Sequence, residues 1–147
     1  MGLYFEDFEE GRDYVTRART ITEADVVAFA GLSGDYNQLH TDAEAMKASP
    51  FGERIAHGML VSSIATGLQS QMGWFEGTTV ALLEVLFRFK APVKFGDTVH
   101  LAISVKEKRE TSKPDRGILI VNANVVNQHG ETVIEGQWTT MMKRKGA

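Results

Sequence analysis

The sequence predicts an α+β fold in which a curled antiparallel sheet wraps one long central helix. Three observations predict it. Residues 58–75 carry no formal charge, and Leu60, Ile64, Leu68 and Met72 recur there at helical spacing, with Val61 and Ala65 widening the stripe. The remaining faces of that helix, Ser62, Ser63, Thr66, Gly67 and Ser70, are all small, so it is expected to be buried all round. The second half of the chain instead alternates apolar and polar residues between short turn-forming segments, the pattern of hairpin-connected strands.

Taken in order, the chain opens on Met1-Gly2-Leu3-Tyr4-Phe5-Glu6-Asp7, acidic and without the apolar segment of a secretory signal, so a cytoplasmic location is expected. Residues 14–21 read as a first strand. Thr22 looks like an N-cap, with Asp25 three residues on and Val26, Val27, Phe29 and Ala30 as an apolar helix face. Gly31 and Gly34 bracket the end of that helix. Asp42 caps another short helix through Lys47, which Pro50, Phe51 and Gly52 terminate. The central helix follows from His57. Strands are predicted over residues 84–90, 99–106, 118–126 and 132–142, with turn chemistry at 91–97, a polar loop at 112–117 and a hairpin turn at 128–131.

Composition bounds the function. The 147 residues form a single domain, 1–147, and a net charge of -3 without a basic cluster disfavours nucleic acid as a partner. Lys143-Arg144-Lys145 reads as a solvated end. The absence of cysteine excludes disulfides, thiolate metal sites and cysteine nucleophiles. Serines, a threonine, glutamines and internal glycines within residues 58–75 make that uncharged run a poor membrane span.

The chemistry gathers before and at the start of the central helix. Asp35 and His40 stand five residues apart on a polar segment, an acid and an imidazole able to divide general acid and base duties. Gly34 lets the backbone turn ahead of Asp35, and Asn37 suits holding the loop or orienting a carboxylate. The same residue types fill ordinary turns, so the pair weighs evenly between site and plain turn. Gly58 offers an unhindered N–H at the positive end of a helix, suited to an oxyanion; equally, it is small where helix meets sheet. His57 suits a structural cap or a core-facing ring better than a second base. Ser62, Ser63 and Thr66 either line a substrate tunnel or simply pack, the latter being the commoner use of small residues on a buried helix.

These residues carry a resemblance. Phe29-x3-Ser33-Gly34-Asp35-x-Asn37-x-Leu39-His40, followed by Ile55-Ala56-His57-Gly58-Met59, resembles the signature of MaoC-like (R)-specific enoyl-CoA hydratases of the hot-dog fold. It extends over nearly the whole chain, from Phe5 to Met142. The resemblance implies a homodimer with an acyl-CoA thioester bound along the subunit interface, and hydration of trans-2-enoyl thioesters to (R)-3-hydroxyacyl thioesters. It implies Asp35 and His40 as catalytic residues and Gly58 as the oxyanion-hole glycine. No metal and no redox cofactor are expected, because the thioester itself acidifies C2. One departure stands out: Gln38 occupies the position after the asparagine where the family usually has proline. Two rivals remain. A hot-dog thioesterase is disfavoured because residues 58–75 lack a carboxylate, and a non-catalytic acyl-binding subunit because Asp35 and His40 are both present.

Overall fold

The computed structural model describes residues 1–146. After a 3₁₀ turn at Phe5–Asp7 come β1 (Asp13–Val15), β2 (Arg19–Thr20), α1 (Glu23–Ser33), α2 (Gln38–Thr41), α3 (Ala43–Lys47) and α4 (Gly58–Met72). Four long strands follow: β3 (Thr79–Phe89), β4 (Thr98–Glu110), β5 (Arg116–Val126) and β6 (Thr132–Lys143). They form one antiparallel sheet in the order β1-β4-β5-β6-β3, with β2 also paired to β4.

The sheet curls around α4, as expected. Leu60, Val61, Ile64, Ala65 and Leu68 of the helix join Leu101, Ile103, Val121, Ala123 and Val133 of the strands in one buried cluster. Burying each of the Leu, Ile and Val side chains contributes roughly 1.5–3 kcal/mol, so this helix–sheet contact is a major support of the fold. Strand irregularities at Leu82/Glu84, Val105/Glu107 and Val125/Val126 add the local twist that a curled sheet needs. Gly136 adds to it, since a Cβ there would collide with the Ala123 carbonyl of the neighbouring strand.

Two expectations are corrected. Residues 14–21 do not make one strand but two short ones, β1 and β2, both on β4. Between them the Thr16 hydroxyl accepts the Leu101 N–H at 2.9 Å and donates to the Arg17 carbonyl at 2.8 Å. A side chain there takes over a bond that a regular ladder would give to backbone. Nor is α4 buried on every side: Met59, Ser63, Thr66 and Ser70 form an exposed stripe. The sheet does not reach that stripe because β3 is its last strand.

Elsewhere the local chemistry acts as its residues suggest. Thr22 caps α1 by accepting the Asp25 N–H at 3.2 Å, and Asp25 returns the bond to the Thr22 N–H at 2.9 Å. Gly34 ends α1 with φ 76, a left-handed conformation that glycine adopts without strain. Gly31, by contrast, lies inside α1. Asp42 caps α3 through the Ala45 N–H at 2.9 Å. No helix among the described residues is long and apolar enough to cross a membrane.

Candidate active site

The end of α1, the one-turn helix α2 and the start of α4 converge on one cavity of about 480 Å³. Asp35, His40, His57 and Gly58 all line it, with Met59 and Phe89 among the apolar walls. Local bonds fix the segment that delivers Asp35. The Ser33 hydroxyl donates to the Phe29 carbonyl at 2.7 Å and accepts the Asp35 N–H at 3.1 Å. Asp35 Oδ1 accepts the Asn37 N–H at 3.2 Å, and Asn37 Oδ1 accepts the Leu39 N–H at 3.0 Å, capping α2. Asn37 therefore holds the loop rather than facing the cavity. Asp35 is half exposed and its second oxygen, Oδ2, lies 3.9 Å from His40 Nε2.

His40 is buried, and its tautomer follows from its partner. Nδ1 stands 2.7 Å from the Ile55 carbonyl, which can only accept, so Nδ1 carries the proton. In the neutral ring Nε2 then presents a lone pair toward the Asp35 carboxylate. A separation of 3.9 Å is too long for a hydrogen bond but suits two groups acting on one small oxygen nucleophile between them.

His57 precedes α4 without capping it, since its side chain bonds none of the helix N–H groups. The core-facing reading is the right one: the ring is 2% exposed, and its Nε2–H donates to the Asp35 carbonyl at 2.9 Å. It stacks on His40 with centroids 3.7 Å apart and planes 27° apart, while Phe29 meets it edge-on at 4.9 Å. Asp35, His40 and His57 offer ligand atoms within 4.8 Å of one another, the grouping of a metal centre. The stack argues against that use. Two nearly parallel rings send their in-plane lone pairs past each other, and His57 Nε2 is already committed as a donor.

Gly58 begins α4 in the same cavity, so its N–H is among the orphan donors at the positive end of the helix. Its smallness is also structural, because a Cβ would collide with the Phe89 ring. Gly58 is thus small where helix meets sheet, and its N–H lies at the shared cavity. Phe89 was not singled out from the sequence, although its alternation with Val85 and Phe87 places it on their face.

Ser62, Ser63 and Thr66 do not join this group. They line a second cavity of about 420 Å³ with Leu82, Val85 and Trp138, and only Met59 borders both. Each hydroxyl donates to a carbonyl of its own helix, Ser62 to Gly58 at 2.9 Å, Ser63 to Met59 at 2.7 Å and Thr66 to Ser63 at 2.6 Å. Their protons are spent on the backbone; Ser62 is buried and packs, while Ser63 and Thr66 lie on the exposed stripe.

Comparison with known proteins bears on the fold and the family. The family described as MaoC like domain matches residues 7–127. The chain is 33% identical to an (R)-specific enoyl-CoA hydratase of Rhodospirillum rubrum over 97% of its own length and 94% of the relative's. It is 43% identical to Protein MaoC of Klebsiella aerogenes over 71% of its length, but spans only 31% of that larger protein. Among solved structures, the (R)-hydratase from A. caviae involved in PHA biosynthesis superposes with a TM-score of 0.77 at 30% identity, covering 92% of this chain and 97% of that one. A Mycobacterium tuberculosis protein with a double hotdog fold, 21% identical, shares the fold with a TM-score of 0.85 over 99% of this chain and 45% of its own. An α4 wrapped by a curled antiparallel sheet is that hot-dog fold, and the chain belongs to the MaoC-like hydratase and dehydratase family.

Proposed function

We propose that the protein is a hydro-lyase that adds water across the double bond of a trans-2-enoyl-CoA thioester, or removes it from the (R)-3-hydroxyacyl thioester. The observation that carries this reading is the pairing of His40 Nε2 with the Asp35 carboxylate in the cavity that Gly58 also lines. His40 Nε2, unprotonated in the tautomer that Ile55 imposes, takes a proton from water while Asp35 orients it. The water oxygen bonds to C3, and the π electrons move onto the thioester as an enolate. The Gly58 N–H and the α4 dipole stabilise the charged oxygen. The imidazolium then returns its proton to C2 and regains the starting tautomer. No metal or redox group takes part, because the thioester supplies the acidity at C2. The thioesterase alternative is disfavoured by residues 58–75, which offer no carboxylate beside the thioester carbon.

The active form in this reading is a homodimer. The exposed stripe of α4 and the apolar edge strand β3 flank the second cavity, and a second copy would cover both.

The test is product identity with crotonyl-CoA. Enoyl absorbance is expected to fall without release of free thiol, and chiral analysis to give the (R)-3-hydroxy product. Stoichiometric thiol release with no hydroxyacyl-CoA would instead make the protein a thioesterase.

A further inference from the structure

The mechanism above uses His40 and Asp35 but leaves unexplained a second buried imidazole in contact with both. His57 is not a base. Its Nε2 must carry a proton, because the Asp35 carbonyl that it faces at 2.9 Å can only accept. Its Nδ1 is buried with no partner among the described residues. The surroundings offer Nδ1 no partner either. Phe29 of α1 presents a ring edge, α4 is uncharged, and the ionisable groups around the cavity are Asp35, His40 and Lys90 beyond the end of β3.

What His57 does instead is join the two reacting groups. One edge of the ring fixes the main chain of Asp35, and one face supports the ring of His40. His40 is pinned at one further point, its Nδ1–H to Ile55, about which the ring would otherwise swing. An edge contact fixes a hinge; a face contact fixes the plane. We propose that His57 is a positioning residue, whose Nε2–H and ring face together set the angle at which His40 Nε2 meets the Asp35 carboxylate. The proposal rests on the hydratase reading for its kinetic consequence, but not for its structural one.

Two variants separate the two contacts. His57→Phe keeps a ring to stack on His40 and loses the donor to Asp35; His57→Gln keeps an amide donor and loses the stack. Both are expected to fold, with kcat for crotonyl-CoA lowered roughly tenfold to a hundredfold and KM within about threefold, the pattern of misplaced reacting groups rather than lost binding. NMR of the imidazoles gives the reading that a general packing role would not move. In the wild type the proton is expected on Nε2 of His57 and on Nδ1 of His40, the sites that the Asp35 and Ile55 carbonyls impose. In His57→Gln, His40 is expected to keep its Nδ1–H bond to Ile55 but to lose its fixed plane, read as a drop in the order parameter of its ring C–H groups, whereas in His57→Phe, where the stack remains, the ring is expected to stay ordered. Folded variants with wild-type kcat, or a His40 ring as ordered in His57→Gln as in the wild type, would each overturn the proposal. If the wild type fails to hydrate any enoyl-CoA, the hydratase reading falls while the ring-order measurements still decide the role of His57.

Discussion

Asp35 and His40 are reached by different constraints, and their substitution separates chemistry from scaffold. Asp35 is half exposed and its Oδ1 serves the Asn37 N–H, so Asp35→Asn retains an oxygen for that bond while losing the charge. Hydration by Asp35→Asn is expected to fall by at least roughly a hundredfold with the melting temperature little changed, the scale of a positioned acid or base. His40→Ala should lose as much activity. Near wild-type turnover by both variants in a steady-state assay would remove the pair from the mechanism. Gly58 is different, because Gly58→Ala places a methyl group against the half-exposed Phe89 ring, which must turn aside, so turnover is expected to fall with little change in stability. That Asp35, His40 and Gly58 share one cavity was legible only in part, because residue type and spacing alone weighed evenly between a site and a plain turn. The bond from His57 to the Asp35 carbonyl was not legible, since it joins residues 22 apart in the chain through a main-chain atom that no residue type announces. Ser62, Ser63 and Thr66 were legible as small residues of a helix. Their separation from the reaction cavity depends on Met59, which only packing could place between the two spaces.

The elements of the chain were read best where a side chain enforces the boundary. Thr22, Gly34 and Asp42 each end or begin a helix through a bond or a left-handed turn, and those three boundaries follow from residue chemistry alone. The division of residues 14–21 into β1 and β2 did not, because the Thr16 hydroxyl could bond Leu101 only once β4 lay beside it. β3 starts at Thr79 rather than 84, since Ala81, Leu82 and Leu83 show no alternation and lie across a bulge. The one departure from the family pattern is decided by its element too. Gln38 is the first residue of α2, the helix position that most readily accepts proline, and Asn37 before it has φ -53 and ψ 141, which a following proline allows. Gln38→Pro is therefore expected to raise unfolding stability by about 0.4–1 kcal/mol, chiefly by restricting the unfolded chain. Chemical denaturation would show this as a higher midpoint at unchanged slope, and a lower midpoint would mean that the α2 backbone does not have the geometry described.

The whole molecule is closed at one end by its termini. Asp7 accepts from Lys145 and from the Tyr4 N–H, and the Lys145 ammonium holds its carboxyl below the usual value of 3.8. A depressed carboxylate contributes stability above its unfolded value and loses it as pH falls through the folded one. Wild type is thus expected to lose stability below about pH 4 more steeply than Lys145→Ala, as measured by denaturation across that range. The β3 edge of the sheet is open. β3 is bonded to β6 alone, and its Leu82 and Phe89 are 56% and 54% exposed in the single chain. A long apolar edge strand of this kind either aggregates or pairs with another strand. Beside it runs the exposed stripe of α4, with Met59 exposed and Ser63 and Thr66 small enough to admit close approach. Leu82 and Val85 from β3 and Ser63 and Thr66 from α4 wall the same second cavity, so whatever covers the edge also closes that space. A second copy of the chain has the same edge to offer in antiparallel register, which makes a two-fold dimer the economical solution. Sedimentation at micromolar concentration is expected to give a species of twice 16.2 kDa. Leu82→Asp combined with Val85→Asp should return it to the monomer mass with helical content retained and, since the homodimer is proposed as the active form, with hydration lost. A fully active wild-type monomer would place the whole site within one chain and leave β3 without a catalytic role.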